Sequence, residues 1–266
     1  MKDEPLAHLD EPQENETRDL TALLLELETL LGYRFKEKEL LVRSLTHSSF
    51  AHELENRGDL MGVESQLGFL PKRDNERLEF LGDAVVGLIL GQLLMGGFSE
   101  ACEGKLSRWR SGLVSRRTMA GIAEKLNLGK YLLLGRGEFR SGGATKGSIL
   151  GAALEAIVGA LYVDGGLAPA EAFLKKIYSP LMDALASEGA PPAELQDQKT
   201  FLQERTQSQY KCTPAYRLID TWGREHEKSF RIEIVIQGKV IASGVGKSKK
   251  EAEQNAAGNA LGVLEF

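Results

Sequence analysis

The 266-residue chain is long enough to bury a core in one or two domains, and its 42% apolar and 27% charged residues are those of an ordinary soluble protein. A formal net charge of −5 argues at first against a nucleic-acid partner, but the charge is uneven: residues 196 to 266 carry eleven Lys plus Arg against nine Asp plus Glu, and the rest of the chain 22 against 29. Cys102 and Cys212 match no metal or redox spacing and suggest a reducing cytoplasm, while the longest apolar run, Ala84 to Met95, is too short for a bilayer span and holds Gly87, Gly91 and Gln92, so no membrane partner is expected.

Residues 1–18 combine Asp3, Glu4, Asp10, Glu11, Glu14 and Glu16 with Pro5 and Pro12. They hold too little apolar surface to order themselves and read as a disordered acidic tail, without the basic-then-apolar pattern of a signal sequence. Leu20, Leu23, Leu24, Leu27, Leu30 and Leu31 then recur at helical spacing, with Gly32 as the stop. A second helix is expected through Leu40, Leu41 and Leu45 to Thr46 and His47. His47, beside serine and threonine, reads as a hydrogen-bonded structural residue and is left out of the site. Glu53 to Arg73 is glycine-rich, mixed in charge and aperiodic, an exposed loop with room for a short helical piece.

The segment Asn75 to Asp83, NERLEFLGD, opens an apolar helix yet carries Glu76, Glu79 and Asp83. Offsets of three and seven put these acids along one helix face. A solvated face is the simplest reading, but the acids lack the i,i+4 basic partners of a surface stripe. Clustered carboxylates are what a hard cation such as Mg2+ takes. Helical character returns from Glu100 to Leu128, with Glu103 near its start, where the helix dipole alone favours an acid. Lys146 to Val163 is a further apolar helix whose lone interior acid, Glu155, either faces solvent on an edge or completes a site, because a buried unpaired charge is expensive.

Lys175 and Lys176 lie on another helix, and Gly189, Pro191 and Pro192 mark a linker over 186–195. Residues 196–266 change period. Lys199 to Gln209 is helical, Tyr216 to Thr221 alternates as a half-buried strand, and Phe230, Ile232, Ile234 and Ile236 share one strand face. Gly238 and Lys239 turn into a third strand, Val240 to Val245, and a last helix follows. Ser248 and Glu251 make a capping box that fixes its start, and Lys247, Lys249 and Lys250 surround the positive helix end, a site for phosphate oxygens.

The order helix, three strands, helix, with GKSKKEAEQNAA opening the last helix, resembles a double-stranded RNA-binding domain. The resemblance implies that Thr200, Gln203, Glu204 and His226 approach the minor groove, and that Lys247, Ser248, Lys249 and Lys250 contact phosphates. NERLEFLGD resembles the signature of the ribonuclease III family, with LGYRFKEKELLVRSLTHSSFAHE, EGKLSRWRSGLVS and SILGAALEAIVGALYVDGG in family order beside it. The likeness covers residues 20 to 264. It implies an all-α nuclease domain over 19–185, a small α+β RNA-binding domain over 196–266, and a homodimer acting on double-stranded RNA without a small-molecule cofactor. It further implies cleavage to 5′-phosphate and 3′-hydroxyl ends in RNA processing, ribosomal RNA included. Glu79, Asp83 and Glu155 are implied as ligands of Mg2+, with Mn2+ as the alternative ion; Glu76 and Glu103 are implied in catalysis. Phe80 reads as core from its helical position, whereas the family implies an aromatic knob in the dimer interface.

Two departures stand out. The family carries an aspartate three residues before Glu155, where this chain has Ala152, and the 53–73 segment is longer than the family's. Two classes of function therefore remain: a metal-dependent endoribonuclease, and a cleavage-impaired protein that binds RNA duplexes.

Overall fold

The computed structural model describes residues 19–57, 68, 69, 71, 73–188, 198–224 and 228–264. They form two compact units that divide between Met182 and Asp183. The acidic segment 1–18, most of the glycine-rich segment and residues 189–195 of the linker lie outside the described residues.

The first unit is helical. Helix α1 (Leu20–Leu31) opens where the Asp19 carboxylate accepts the Ala22 N–H at 2.9 Å, and closes at Gly32 with φ +70°, a conformation that favours a residue without Cβ. Helix α2 (Lys38–Leu45) ends before Thr46, earlier than its apolar spacing suggests. Thr46 is instead extended: it bridges Leu133, and its carbonyl accepts the Asn75 N–H at 2.9 Å. Thr46 and His47 thus belong to a connection that ties the entrance of the acidic helix to the fold. Helix α3 (Ser48–Arg57) takes the first residues of the segment read as loop.

Helix α4 (Glu76–Gly97) carries NERLEFLGD in its first turns. One long helix was expected from Glu100 to Leu128, but α5 (Glu103–Leu113) and α6 (Arg116–Lys125) are separate. Between them Ser115 is extended, and its hydroxyl caps the Thr118 N–H at 3.3 Å, so a new helix starts. A short α7 (Arg136–Arg140) leads to α8 (Gly147–Gly165), the central helix, with eleven buried residues that include Leu154, Ile157 and Leu161. Helices α2, α4 and α6 pack on it. Both α4 and α8 are long and apolar enough by composition to cross a bilayer, contrary to the short run read from sequence; here α8 is buried as a core helix. Helix α9 (Leu167–Glu188) extends through Ala186 and Ser187, residues read as linker.

Helices α4 and α8 meet backbone to backbone at two glycines. A Cβ on Gly82 would lie 2.6 Å from the carbonyl carbon of Glu155 and closer still to its oxygen. A Cβ on Gly159 would lie 3.1 Å from the carbonyl carbon of Leu78 and 3.2 Å from the Gly82 nitrogen. Only hydrogen at both positions permits this crossing.

The second unit runs α10 (Gln198–Tyr210), β1 (Ala215–Trp222), β2 (Ser229–Ile236), β3 (Lys239–Gly246) and α11 (Lys249–Val263). The sheet is antiparallel in the order β1-β2-β3. As the alternation predicts, Ile232, Ile234 and Ile236 are buried, and Ile234 and Ile236 join Leu202, Ala256, Ala257 and Ala260 in one core. Strand β1 is less buried than expected: the register shifts between Leu218 and Asp220, and Leu218 and Ile219 are both exposed. An irregularity at that point breaks the two-residue period. The β2–β3 turn is Gln237-Gly238, one residue earlier than expected, with φ +50° and +79° as a type I′ turn requires. Helix α11 sits close on β3 because a Cβ on Gly244 would lie 2.6 Å from the Ala252 carbonyl oxygen.

Candidate active site and nucleic-acid interface

Glu76, Glu79 and Asp83 lie on the first turns of α4, the middle one partly buried and the others exposed. The Asp74 carboxylate accepts the Glu76 N–H at 3.2 Å, and the Asn75 carbonyl accepts the N–H groups of Leu78 and Glu79 at 2.9 Å each. The start of the helix is therefore held from both the preceding residues and Thr46. The rest of the helix splits in two. Leu78, Val85, Val86, Ile89 and Leu90 are buried, whereas Phe80 is 83% exposed, Leu88 52% and Met95 68%. Phe80 is therefore not a core residue of this chain. At about 100° per residue Phe80, Leu88 and Met95 form an apolar stripe adjoining the acidic one.

Glu155 reaches the acidic stripe from α8, because the Gly82–Gly159 crossing places its turn of α8 directly against α4. Its carboxyl is half-buried and pushed up to about 7, first by burial and then by the negative charges of Asp83 and Glu79, while among the described residues the Arg116 guanidinium alone opposes the shift. Burial also raises Glu79, Glu76 and Asp83 add to that effect, and Arg116 and His47 oppose it. Glu79, Asp83 and Glu155 thus share one electrostatic field, extended by Glu76. Glu103 does not join it at Glu155: it is exposed at the first residue of α5 and accepts the Ser107 hydroxyl at 2.7 Å.

Among the described residues no hydrogen bond or ion pair satisfies the carboxyls of Glu79, Asp83 and Glu155, and no three His, Cys, Asp or Glu side chains already stand at metal-ligating distances. The donor set itself fits a hard divalent ion, being all oxygen, anionic and mutually repelling.

His47 has the structural role read from the sequence. Its Nδ1 accepts the Ser49 N–H at 3.2 Å and contacts the Ser49 hydroxyl at 2.8 Å, and that hydroxyl accepts the Gly135 N–H at 3.0 Å. Arg116 and the glycine pair were missed by local reading. Nothing in the pattern around Ser115 marks Arg116 as a neighbour of residues nearly forty positions away in each direction.

In the second unit, Ser248 caps α11 by accepting the Glu251 N–H at 3.1 Å, and the Glu251 carboxylate accepts the Lys247 N–H at 2.7 Å, not that of Ser248 as in the simplest capping box. Lys247, Lys249 and Lys250 are exposed around this start. Thr200 and Gln203 are exposed on α10, with Glu204 partly so; His226 lies outside the described residues. The Lys199 ammonium pairs with Glu253 at 2.6 Å and lies 4.6 Å from the Tyr216 ring centre, tying α10 to α11 and β1.

The ribonuclease-III-like family model matches residues 37–181, and the double-stranded RNA binding motif matches residues 198–264. Ribonuclease 3 of Syntrophobacter fumaroxidans is 44% identical over 90% of this chain and 93% of its own length. Ribonuclease 3 of Geobacter metallireducens is 43% identical over 89% of both chains. The solved nuclease domain of ribonuclease III from Campylobacter jejuni is similar over 58% of this chain and 95% of that one, at 39% identity and a TM-score of 0.49. A helical nuclease unit joined to a duplex-RNA binding unit defines an endoribonuclease acting on double-stranded RNA. The chain belongs to the ribonuclease III family.

Proposed function

We propose that this chain acts as a homodimer that hydrolyses both strands of RNA duplexes, leaving 5′-phosphate and 3′-hydroxyl ends, in the maturation of cytoplasmic RNA precursors that include ribosomal RNA. The observation that carries the proposal is the common field of Glu79, Asp83 and Glu155, whose carboxyls no hydrogen bond or ion pair satisfies among the described residues. These three would hold Mg2+, or Mn2+ in its place. When bound, the ion supplies Lewis acidity and activates the attacking water. In the reaction the water oxygen bonds to phosphorus, the P–O3′ bond breaks, and the 3′ oxygen leaves with a proton. Glu76 adds charge beside Glu79; Glu103 enters only through the family likeness. Thr200, Gln203, Glu204 and His226 would meet the minor groove, and Lys247, Ser248, Lys249 and Lys250 the phosphates. The exposed stripe of Phe80, Leu88 and Met95 supports the homodimer, since such a row beside a site invites an apolar partner surface.

A second reading is favoured by one residue. Ala152 stands one turn before Glu155 on α8, so this helix brings one carboxylate to the site where the family brings two. The chain would then bind duplexes and cut them poorly. Incubation of a long RNA duplex with Mg2+ at low salt separates the two. Cleavage by the parent supports the nuclease; an inert parent beside an active Ala152→Asp variant overturns it in favour of the binding protein.

A further inference from the structure

We infer that Arg116 is a phosphate-binding residue of the nuclease site, meeting a non-bridging oxygen of the scissile phosphate so that a polyanion can approach three carboxylates. The inference rests on the double-stranded RNA nuclease reading above. Arg116 is the first residue of α6, and its place is set firmly. Ser115 caps the helix, and the Thr118 hydroxyl donates to the Gly112 carbonyl at 2.6 Å. The first turn of α6 packs on α8 at Gly151: a Cβ there would lie 3.6 Å from the Met119 Cβ and 3.8 Å from the Arg116 carbonyl oxygen. Next along α8 comes Ala152, and one turn later Glu155. The position where the family carries an acid is thus a methyl group, one residue on from the glycine that meets the Arg116 backbone.

The arginine is uncommitted. It is exposed, and among the described residues no hydrogen bond or ion pair engages it. Its charge nevertheless acts on both Glu79 and Glu155, and among the described residues it is the one cation that acts on Glu155. A guanidinium whose charge reaches a carboxylate field, with its donors left over, has the fork geometry that suits phosphate oxygens.

The test compares the parent with Arg116→Ala, Arg116→Lys and, as a neighbour control, Arg117→Ala. Single-turnover cleavage of an RNA duplex is measured at saturating Mg2+, Mn2+ binding to the RNA-free protein by calorimetry, and folding by thermal melting. Loss of one preorganised donor should slow Arg116→Ala by roughly 10²- to 10³-fold. Arg116→Lys should lose about tenfold, keeping charge but not the fork. Removing a positive charge from the carboxylates should at the same time tighten Mn2+ binding by roughly three- to tenfold. Slower cleavage with tighter metal binding, at an unchanged melting temperature, is not what a packing role produces. A cleavage rate of Arg116→Ala within threefold of the parent, unaltered Mn2+ affinity, or an equal loss in Arg117→Ala overturns the inference while leaving the nuclease reading intact. A parent that cuts no duplex overturns that reading and takes the inference with it.

Discussion

Gly82→Ala tests the crossing on which the site depends. The new Cβ would lie 2.6 Å from the Glu155 carbonyl carbon and 3.1 Å from the Gly159 nitrogen. Ordinary carbon–carbon contact begins at about 3.5 Å, so α4 and α8 must part by roughly 1 Å or more. The obstructing atoms are helix backbone, and no side-chain rotation relieves them. Overpacking of this kind costs about 1–3 kcal/mol, which lowers the melting temperature of a domain of this size by roughly 2–12 °C. The effect on catalysis is larger, because Asp83 follows the substituted residue and Glu155 is the residue struck. A displacement near 1 Å costs about 10²-fold in rate. Melting by circular dichroism and single-turnover cleavage at saturating Mg2+ measure the two effects. Gly96→Ala on the same helix is the control: a Cβ there meets nothing within 4 Å, and the variant should be neutral or slightly stabilised. Parent-like melting and a rate within threefold of the parent for Gly82→Ala would refute the backbone-contact reasoning.

Other predictions concern charge and assembly. In metal-free protein the Glu155 carboxyl is raised from 4.5 to about 7, by burial first and then by Asp83 and Glu79, so its contribution to stability is fully present below about pH 4.5 and is lost as pH rises through 7. Glu155→Gln should remove that fall; because the group is close to half exposed, the gain at pH 8 in EDTA is on the order of 1 kcal/mol, read from denaturant midpoints, and equal midpoints would contradict the assignment. Replacing Lys247, Lys249 and Lys250 together by alanine should weaken duplex binding and flatten its salt dependence by up to about 0.9 in log–log slope per lost phosphate contact. An unchanged slope would mean these lysines are only solvated. Phe80→Asp should shift sedimentation toward monomer, since it buries a charge in any apolar pairing of the α4 stripes; a parent-like dimer would remove that stripe from the interface.

Several local features were readable from short-range rules. Gly32 closes α1, Ser248 and Glu251 start α11, and the alternation of Ile232, Ile234 and Ile236 set the buried face of β2. Each depends on caps or periods a few residues long. Three readings failed, each for its own reason. Thr46 left its helix to bridge Leu133, the expected Glu100–Leu128 helix broke at Ser115, and Phe80 proved exposed on an apolar helix. The first depends on a distant partner. The second turns on a cap competing with helix propensity. The last reflects that apolar periodicity marks a face without saying what covers it.

For the site, residue types and spacing were enough to single out Glu76, Glu79 and Asp83 as an acidic stripe, to flag Glu155 as an anomalous acid in an apolar helix, and to order the RNA-binding elements. Which acids act together was decided only in three dimensions. Glu155 joins Glu79 and Asp83 because Gly82 and Gly159 let two helices cross at backbone distance, and Arg116 joins them because α6 packs at Gly151; Glu103 stays outside the field around Glu155. Charges interact through space over a few ångströms, and that separation is set by helix packing instead of by position along the chain.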